Sequence, residues 1–479
     1  MPPTRAMRTF PAGHPTGHGE PGTGGHEQAP EHEARRGHAP GTADRQGRAP
    51  LSRADADITG AVEEVLGAYL DTRLAEATEV DAVFADDVAE RVKLFALRGG
   101  KRWRAAFAWW GWRAGGGADG GRQAVAALNV AAALELIQTC ALIHDDVMDA
   151  SALRRGAPSV HVDFARQHEG RSMRGSGSSF GRSAAILAGD LALAWADDLV
   201  AESEVDTGAR RRMRHHWQAM RTEMVAGQYL ELHAQAAGSA SLSRAVRIAC
   251  LKSALYTVER PLALGAALAG ADDRTTAALC SAGRCAGIAF QLRDDLVGVF
   301  GDPALTGKPA GDDIREGKLT YLVAVARSRA DASGDAAALD VLAAGLGAPD
   351  LTDVQLDRVR TVLEETGARA AVESKIERLV LHSRRHLRSA PMDPRAHNRL
   401  SELLAVAAGV NTAASPITPS TPITPRTPNS PFSSVTSDTA ITANPANPAN
   451  SPDQETQLIA RGPAPATRRV GAENTGHSR

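Results

Sequence analysis

Between residues 51 and 410 the chain consists of one apolar run with helical spacing after another. Within each run apolar residues recur every three or four positions, and Gly/Asp/Ser-rich breaks such as RAGGGADGGR separate the runs. No segment alternates apolar and polar residues convincingly enough to predict a strand. Abundant alanine and an aromatic content of only 4% also favour helices over sheets. The sequence therefore predicts an all-α domain of ten or more helices, with buried central helices.

Composition divides the chain into three parts. Residues 1–50 are rich in Gly, Pro and His and have too few large apolar residues to form a core, so we expect a disordered tail. Residues 411–479 are rich in Thr, Ser and Pro and predict a second disordered tail. The helical domain is expected to span residues 51–410, with segments near 58–74, 83–97, 101–114, 122–149, 183–203, 207–234, 242–269, 272–300, 318–332 and 353–407.

Charge and cysteine content limit the function classes. A net charge of −2 gives no overall field that would attract nucleic acid, so we expect no nucleic-acid partner. The cysteines lie in apolar helical patterns without a CxxC pair, which indicates reduced thiols in a cytoplasmic protein. The segment 124–143 has membrane length but contains Asn129, Glu135 and Gln138, which favours a buried helix of a protein without stable membrane insertion.

The sequence LIHDDVMDASALRRG carries a first acidic cluster of Asp145, Asp146 and Asp149. Residues four apart share one helix face, so Asp145 and Asp149 are expected to point the same way. Two carboxylates in that arrangement repel each other unless a cation lies between them, and Mg²⁺ prefers carboxylate, water and phosphate oxygens. A solvated acidic face is the alternative interpretation. The apolar turns before the cluster argue against it, because they place it at the end of a buried helix.

A second acidic cluster, in FQLRDDLVGVFGD, contains Asp294, Asp295 and Asp302 and is followed by the Gly/Pro-rich segment TGKPAGDDIREGK. Basic residues that suit diphosphate oxygens accompany both clusters. They are Lys101, Arg102, Arg104, Arg154, Arg155, Lys308 and Lys318. Acidic groups for a metal and basic groups for phosphate in one chain predict a site for a metal-bound diphosphate.

Over residues 55–405 these motifs resemble the trans-isoprenyl (polyprenyl) diphosphate synthase family. The shared motifs are GGKRxR at 99–104, DDxxD at 145–149, RRG at 154–156, GD at 189–190, GQ at 227–228, KS at 252–253, FQxxDD at 290–295 and GKP…D…GK at 307–318. The resemblance implies a helical bundle of the isoprenoid synthase type with a central cavity, and a homodimer. It also implies a prenyltransferase that adds isopentenyl diphosphate to an allylic diphosphate.

Residue roles follow from the same resemblance. It places isopentenyl diphosphate on Lys101, Arg104, Arg155 and Gln138, and the allylic diphosphate on Arg154, Lys252, Ser253, Lys308 and Lys318, beside Gln291. It assigns three Mg²⁺ ions to Asp145, Asp149 and Asp294, with Asp146, Asp295 and Asp313 nearby. The residues expected to be catalytic are Asp145, Asp149, Asp294, Lys252 and Lys308. His144 is either a hydrogen-bond partner of the cluster or a satisfied buried histidine.

Product length is expected to depend on the helix face before Asp145. Cys140 and Ala141 are small, whereas family members that stop at farnesyl diphosphate have aromatic residues there, and Ile137 lies about one helical turn deeper. We therefore expect geranylgeranyl diphosphate, with longer polyprenyl and farnesyl diphosphates as alternatives. One departure from the family pattern is Gly298, which stands where the third aspartate of the second cluster is usual.

Two rival functions share parts of this pattern. A terpene cyclase would have DDxxD but normally an Asn/Ser/Glu pattern in place of the second cluster, and it would lack GGKRxR. A non-catalytic subunit of a prenyl synthase usually lacks aspartates of the first cluster, which are present here. A purely structural helical protein would have no need for paired clusters.

Overall fold

The computed structural model describes residues 53–118, 120–238, 241–302, 311–348 and 350–410. Both predicted tails, and Lys308, lie outside the described residues. The three-part division of the chain therefore stays a prediction.

Helices dominate the described residues, as predicted. Two of the helices contain π-helical stretches: α2 runs through Ala82–Phe84, Ala85–Ala89 (π) and Glu90–Leu97, and α8 through Leu242–Ile248, Ala249–Glu259 (π) and Arg260–Ala269. The others are α1 (Ile58–Val80), α3 (Trp103–Ala114), α4 (Arg122–Met148), α5 (Val160–Gly170), α6 (Gly177–Glu202), α7 (Thr207–Ala237), α9 (Asp273–Phe300), α10 (Asp312–Arg315), α11 (Tyr321–Ser333), α12 (Ala336–Gly345), α13 (Asp353–Glu365), α14 (Ala368–Arg388) and α15 (Pro394–Ala407).

The sequence pattern missed α5, α10 and α12 and merged the last three helices into one segment. The short α5 buries only Val160, Phe164 and His168, which is too few residues for a clear periodic signal. The run 353–407 is interrupted at Gly367, whose φ of 67° ends the helical path, and at Pro394, which begins α15. Each of these two helix breaks therefore depends on a single residue, Gly367 or Pro394, within an otherwise continuous apolar pattern.

Helix α4 is the central element, packed on α6, α3 and α1, while α9 packs on α8 and α14. It is the one helix of the described residues that is long and apolar enough to cross a membrane, and 72% of its most apolar window is buried. Its charged residue Glu135 forms a buried ion pair with Arg102 at 3.0 Å. The prediction of a buried core helix is confirmed. Arg102 stabilises the fold here by pairing with Glu135.

A β-hairpin with strands of two residues each was not predicted from the sequence. Strand β1 (Leu153–Arg154) pairs antiparallel with β2 (Ala157–Pro158). The turn residues Arg155 and Gly156 have φ values of 52° and 74°. Positive φ at both central residues is the geometry of the tight turn that matches strand twist. The motif RRG therefore forms a hairpin tip directly after the first acidic cluster, where the pattern of apolar residues gives no signal for so short a strand.

Candidate active site

Helices α4, α7, α8 and α9, the β-hairpin and the segment from α10 to α11 surround a cavity of about 1140 Å³. Close packing of α7 on α8 positions one wall: a Cβ atom on Gly227 would lie 2.7 Å from the backbone nitrogen of Lys252. Only glycine allows that approach. The cavity wall carries both acidic motifs and most of the basic residues predicted from the sequence.

The first acidic cluster lies at the carboxyl end of α4, and lysines from two other elements reach it. Asp145 accepts hydrogen bonds from Gln228 at 3.0 Å and from Lys252 at 3.2 Å. Asp149 accepts one from Lys318 at 3.1 Å. Burial acts to raise the pKa of Asp145, but the positive charges of Lys252 and Lys318 outweigh it and lower that pKa. Asp145 and Asp149 thus each have a cationic partner at the cavity wall.

Asp146, which is expected near the metal, differs from Asp145 and Asp149 in its surroundings. Its side chain is completely buried away from the cavity wall, and it accepts hydrogen bonds from Nε of Arg154, at 2.9 Å, and from the Nη2 atom of the same residue. Burial raises the pKa of Asp146, and the guanidinium of Arg154 works against that rise. Consecutive residues on a helix point about 100° apart, so Asp145 and Asp146 cannot both face one cavity fully.

The second acidic cluster is on α9, and its two aspartates have different environments. Asp294 is exposed at the cavity, whereas Asp295 is 4% exposed and accepts a hydrogen bond from Gln291 at 2.7 Å. Gln291 also accepts a hydrogen bond from the Ser253 hydroxyl, which connects α9 to α8. Burial and the nearby carboxylates of Asp313 and Asp294 raise the pKa of Asp295 well above its usual range.

Lys318 lies between the two clusters. Its ammonium group is 3.1 Å from Asp149 of the first cluster, 2.6 Å from Glu316 and 4.0 Å from Asp313 on the second side. Burial alone would lower the pKa of Lys318, but Asp149, Glu316 and Asp313 together raise it. One cation therefore balances carboxylates from both sides of the cavity.

The basic residues expected at isopentenyl diphosphate line a second part of the wall. Arg155, at the hairpin tip, donates to the backbone oxygens of Arg98 at 2.9 Å and Gly99 at 2.6 Å, which brings the RRG motif onto the loop that carries Lys101. Arg104 donates to Thr257 at 2.9 Å. The guanidinium of Arg104 also lies 4.4 Å from the ring centre of Tyr256. Residues far apart in sequence thus form one basic face.

Several cavity residues were missed by the sequence analysis, among them Glu231 and Tyr256. Glu231 on α7 forms an ion pair with Lys252, and Tyr256 on α8 lines the wall under Arg104. Helical spacing offered a signal for each of them. Glu231 is three residues after Gln228, and Tyr256 is four residues after Lys252, so each shares a helix face with a motif residue.

The residues expected to control product length separate into two groups. Cys140 and Ala141 line the cavity, and burial raises the pKa of the Cys140 thiol to about 12. Ile137 is fully buried in the core and lies outside the cavity wall, because neighbouring helices cover the turn of α4 that carries it. His144 is 3.1 Å from the backbone oxygen of Ile186, consistent with a satisfied histidine.

Mg²⁺ suits the donor set of this cavity. Within the described ranges no group of three or more His, Cys, Asp or Glu side chains is arranged to hold a metal ion. The carboxylates of Asp145, Asp149, Asp294 and Asp295 nevertheless line one cavity, together with basic residues for phosphate. Mg²⁺ takes oxygen ligands, often only one or two carboxylates together with waters and substrate phosphates. These residues therefore fit a magnesium–diphosphate complex.

Known proteins share this sequence and fold. Residues 87–349 match the polyprenyl synthetase family. A geranylfarnesyl diphosphate synthase of Aeropyrum pernix is 31% identical over 295 residues, covering 60% of this chain and 83% of that protein. A geranylgeranyl diphosphate synthase of Mycobacterium tuberculosis is 36% identical over 253 residues, covering 53% and 66% of the two chains.

Solved structures show the same relationship. The crystal structure of a geranylgeranyl pyrophosphate synthase from Corynebacterium glutamicum, complexed with isoprenyl diphosphate and magnesium, has a TM-score of 0.68 and 39% identity. It covers 72% of this chain and 98% of that chain. Family match, sequence identity and fold agree with the motifs on the cavity wall: the chain belongs to the polyprenyl synthetase family of prenyltransferases.

Proposed function

We propose that the protein condenses isopentenyl diphosphate with an allylic diphosphate to give geranylgeranyl diphosphate. The observation that carries the proposal is one cavity in which Asp145 and Asp149 of the DDxxD motif, a second acidic cluster and two groups of basic residues meet, with the small side chains of Cys140 and Ala141 on the same wall. A diphosphate needs the cations, a divalent metal needs the carboxylates, and a long prenyl chain needs the open space beside α4.

Two separate groups of basic residues support two diphosphate positions. Lys101, Arg104 and Arg155, with Gln138, line the wall near the hairpin and are proposed to hold isopentenyl diphosphate. The second group lies at the aspartates and is proposed to hold the allylic diphosphate. It comprises Arg154, Lys252, Ser253, Gln291 and Lys318, and Lys308 is added to it from the motif alone.

The proposed ligands of magnesium are Asp145, Asp149 and Asp294, with Asp295 and Asp313 close by. When bound, the metal neutralises charge on the diphosphate and so makes it a better leaving group. A stoichiometry of three ions remains a prediction. Asp146 is left out of the ligand set, because Arg154 occupies one of its oxygens and its side chain is fully buried.

The residues of the chain support the reaction in three ways. Lys252 and Lys318, which contact Asp145 and Asp149, lie where they can donate hydrogen bonds to the developing charge of the leaving diphosphate. The cavity wall around Tyr256 and Phe290 is proposed to keep water from the allylic cation that forms when the carbon–oxygen bond breaks. The double bond of isopentenyl diphosphate then attacks that cation, and loss of a proton, with the released diphosphate as the proposed base, gives a product five carbons longer.

The small side chains beside α4 also support a second candidate product. Cys140 and Ala141 leave the cavity open where an aromatic side chain would close it, so a polyprenyl diphosphate longer than geranylgeranyl is the alternative. Because Ile137 is covered by the core, the end of the product chain is proposed to lie against neighbouring helices rather than against Ile137.

A homodimer in the cytoplasm is also proposed. Helix α6 exposes the apolar side chains of Phe180, Ile186 and Leu187, of which Leu187 is 63% exposed. An exposed apolar face of this kind is suited to contact with a second copy of the chain. Light scattering of the purified full chain tests this: twice the mass of one chain supports the dimer, and the mass of a single chain contradicts it.

The function is tested by incubating the full chain with Mg²⁺, isopentenyl diphosphate and dimethylallyl, geranyl or farnesyl diphosphate, followed by sizing of the products. The expected result is a product of about twenty carbons from each starter that depends on Mg²⁺. Products limited to farnesyl diphosphate, or much longer ones, would replace the geranylgeranyl proposal. Failure to elongate any starter would contradict catalysis and favour a non-catalytic subunit.

A further inference from the structure

The second acidic cluster lacks the carboxylate that DDxxD has at its last position, because residue 298 is glycine. Position 298 lies four residues after Asp294 and so shares its face of α9. Glycine is unfavourable inside a helix because it loses the most conformational freedom on folding. A glycine at this position therefore needs a structural explanation.

The structure supplies that reason from a different part of the chain. A Cβ atom built on Gly298 would lie only 2.6 Å from Oδ2 of Asp313 and 3.4 Å from its carboxyl carbon. The segment that carries Asp313 is attached to α9 at the same point, because the backbone N–H of Gly311 donates to the carbonyl oxygen of Gly298 at 2.8 Å. The carboxylate of Asp313 thus takes up the space that a side chain on residue 298 would need.

Two further contacts hold Asp313 at the cavity. Its backbone oxygen accepts a hydrogen bond from the N–H of Lys318 at 2.9 Å, and its carboxylate is 4.0 Å from the ammonium group of the same lysine. Lys318 in turn contacts Asp149 of the first cluster. The carboxylate of Asp313 therefore lies on the side of α9 that faces the other acidic cluster.

We infer that Asp313 supplies from the α10 segment the carboxylate that is missing from α9, and that it does so only because residue 298 has no side chain. The inference rests on the proposed function, in which this wall holds a magnesium-bound diphosphate. Its consequence runs against the family pattern. Restoring an aspartate at position 298 alone should weaken binding of the magnesium-bound diphosphate. Its Cβ would displace the carboxylate of Asp313, and its own carboxylate would add a like charge beside Asp313.

The test uses full-length wild type, Gly298→Ala, Gly298→Asp, Asp313→Ala and the double variant Gly298→Asp/Asp313→Ala. Binding of inorganic pyrophosphate in the presence of Mg²⁺ is measured by calorimetry. Each single variant is expected to weaken binding by about tenfold, as is typical when a group that supports a metal site is lost. The double variant is expected to recover to within about threefold of wild type, because contacting residues do not act additively.

A helical glycine with free space provides the matched control. Among the described residues, no other side chain or distant backbone atom lies within 4 Å of a Cβ built on Gly67 in α1, so Gly67→Ala should leave pyrophosphate binding unchanged. The atom displaced at position 298 is the end of a short side chain, so Gly298→Ala should keep its metal-free melting temperature within about 4 °C of wild type. A folded Gly298→Ala with weakened binding therefore reports on Asp313 and not on the helix.

Two results would overturn the inference: Gly298→Asp that binds as well as wild type, or a double variant no better than Asp313→Ala. Prenyl transfer by the wild type is measured separately. Absence of any product would contradict the proposed function, whereas the binding pattern among the variants would still decide whether Asp313 and residue 298 exclude each other.

Discussion

The two acidic clusters face one cavity but are built differently. The first cluster has Asp145 and Asp149 on one helix face, each held by a lysine from another element. The second has Asp294 exposed, Asp295 buried against Gln291, and Asp313 brought in from a separate segment beside Gly298. The fold thus supplies lysine counter-charges to the first cluster, whereas it supplies the carboxylate of Asp313 to the shortened second cluster.

The largest effect is expected from the carboxylates that face the diphosphate. Asp145→Asn should lower kcat for prenyl transfer by about 10³-fold, because it removes a charge at the reacting centre. Asp294→Asn should lower it by about 10²-fold, because Asp295 and Asp313 remain beside it. Steady-state kinetics at saturating Mg²⁺ measures both. An equal loss of kcat in the two variants, or a greater loss in Asp294→Asn, would contradict the proposed difference between the clusters.

The turns below the first cluster provide the next contrast. Ile137→Ala should lower the free energy of unfolding by about 3 kcal/mol, because it leaves a cavity in the core, and should leave product length unchanged. Cys140→Phe should shorten the product, because an aromatic ring would project from the cavity wall. Chemical denaturation and product sizing measure the two effects. A changed product length in Ile137→Ala would restore Ile137 as the end of the groove.

Buried aspartates of the two clusters should respond in opposite directions. Asp146→Asn should lower the free energy of unfolding by about 2 kcal/mol, because it weakens the hydrogen bonds to the charged Arg154. Asp295→Asn should raise the melting temperature of the metal-free protein, because burial and two nearby carboxylates already raise the pKa of Asp295 and make its ionised form unfavourable.

Thermal unfolding of both variants in EDTA at neutral pH gives the comparison. The direction of the pKa shift of Asp295 determines how its contribution to stability changes with pH. A raised pKa in the folded state means that Asp295 contributes fully to stability below its unfolded pKa of about 3.9, and that this contribution is lost as the pH rises through the folded value. Asp295→Asn should therefore flatten the fall in stability above that pH. Destabilisation by both variants would contradict the difference between the clusters.

The smallest effect is expected from the lysines. Lys318→Gln should weaken binding of Mg²⁺ and inorganic pyrophosphate by about tenfold, the scale of a hydrogen bond to a charged group. Lys252→Gln should weaken it by about threefold, because that lysine contacts Asp145 and Glu231 but does not join the two clusters. Calorimetry measures both constants, and the reverse order would contradict the bridging position of Lys318.

Local patterns in the sequence predicted the all-α fold and most of the charged residues of the cavity wall. Apolar periodicity of 3.6 residues reports directly on buried helix faces, which is why α4 and α9 were predicted within a few residues of their ends. It carries no information on a strand of two residues, so the hairpin that places Arg155 on the Gly99 backbone was not predicted. Glu231 was missed although its spacing from Gln228 was visible, because acidic residues on helices are common.

The presence of two acidic motifs and several basic residues on helices follows from the amino-acid sequence alone. Which of these groups meet depends on the packing of the helices against one another. Asp146 faces Arg154 instead of the cavity, Ile137 lies in the core, and Asp313 occupies the space beside Gly298. The physical reason is that a helix fixes only the relative directions of its own side chains, whereas burial, counter-charges and steric exclusion come from packing against other elements.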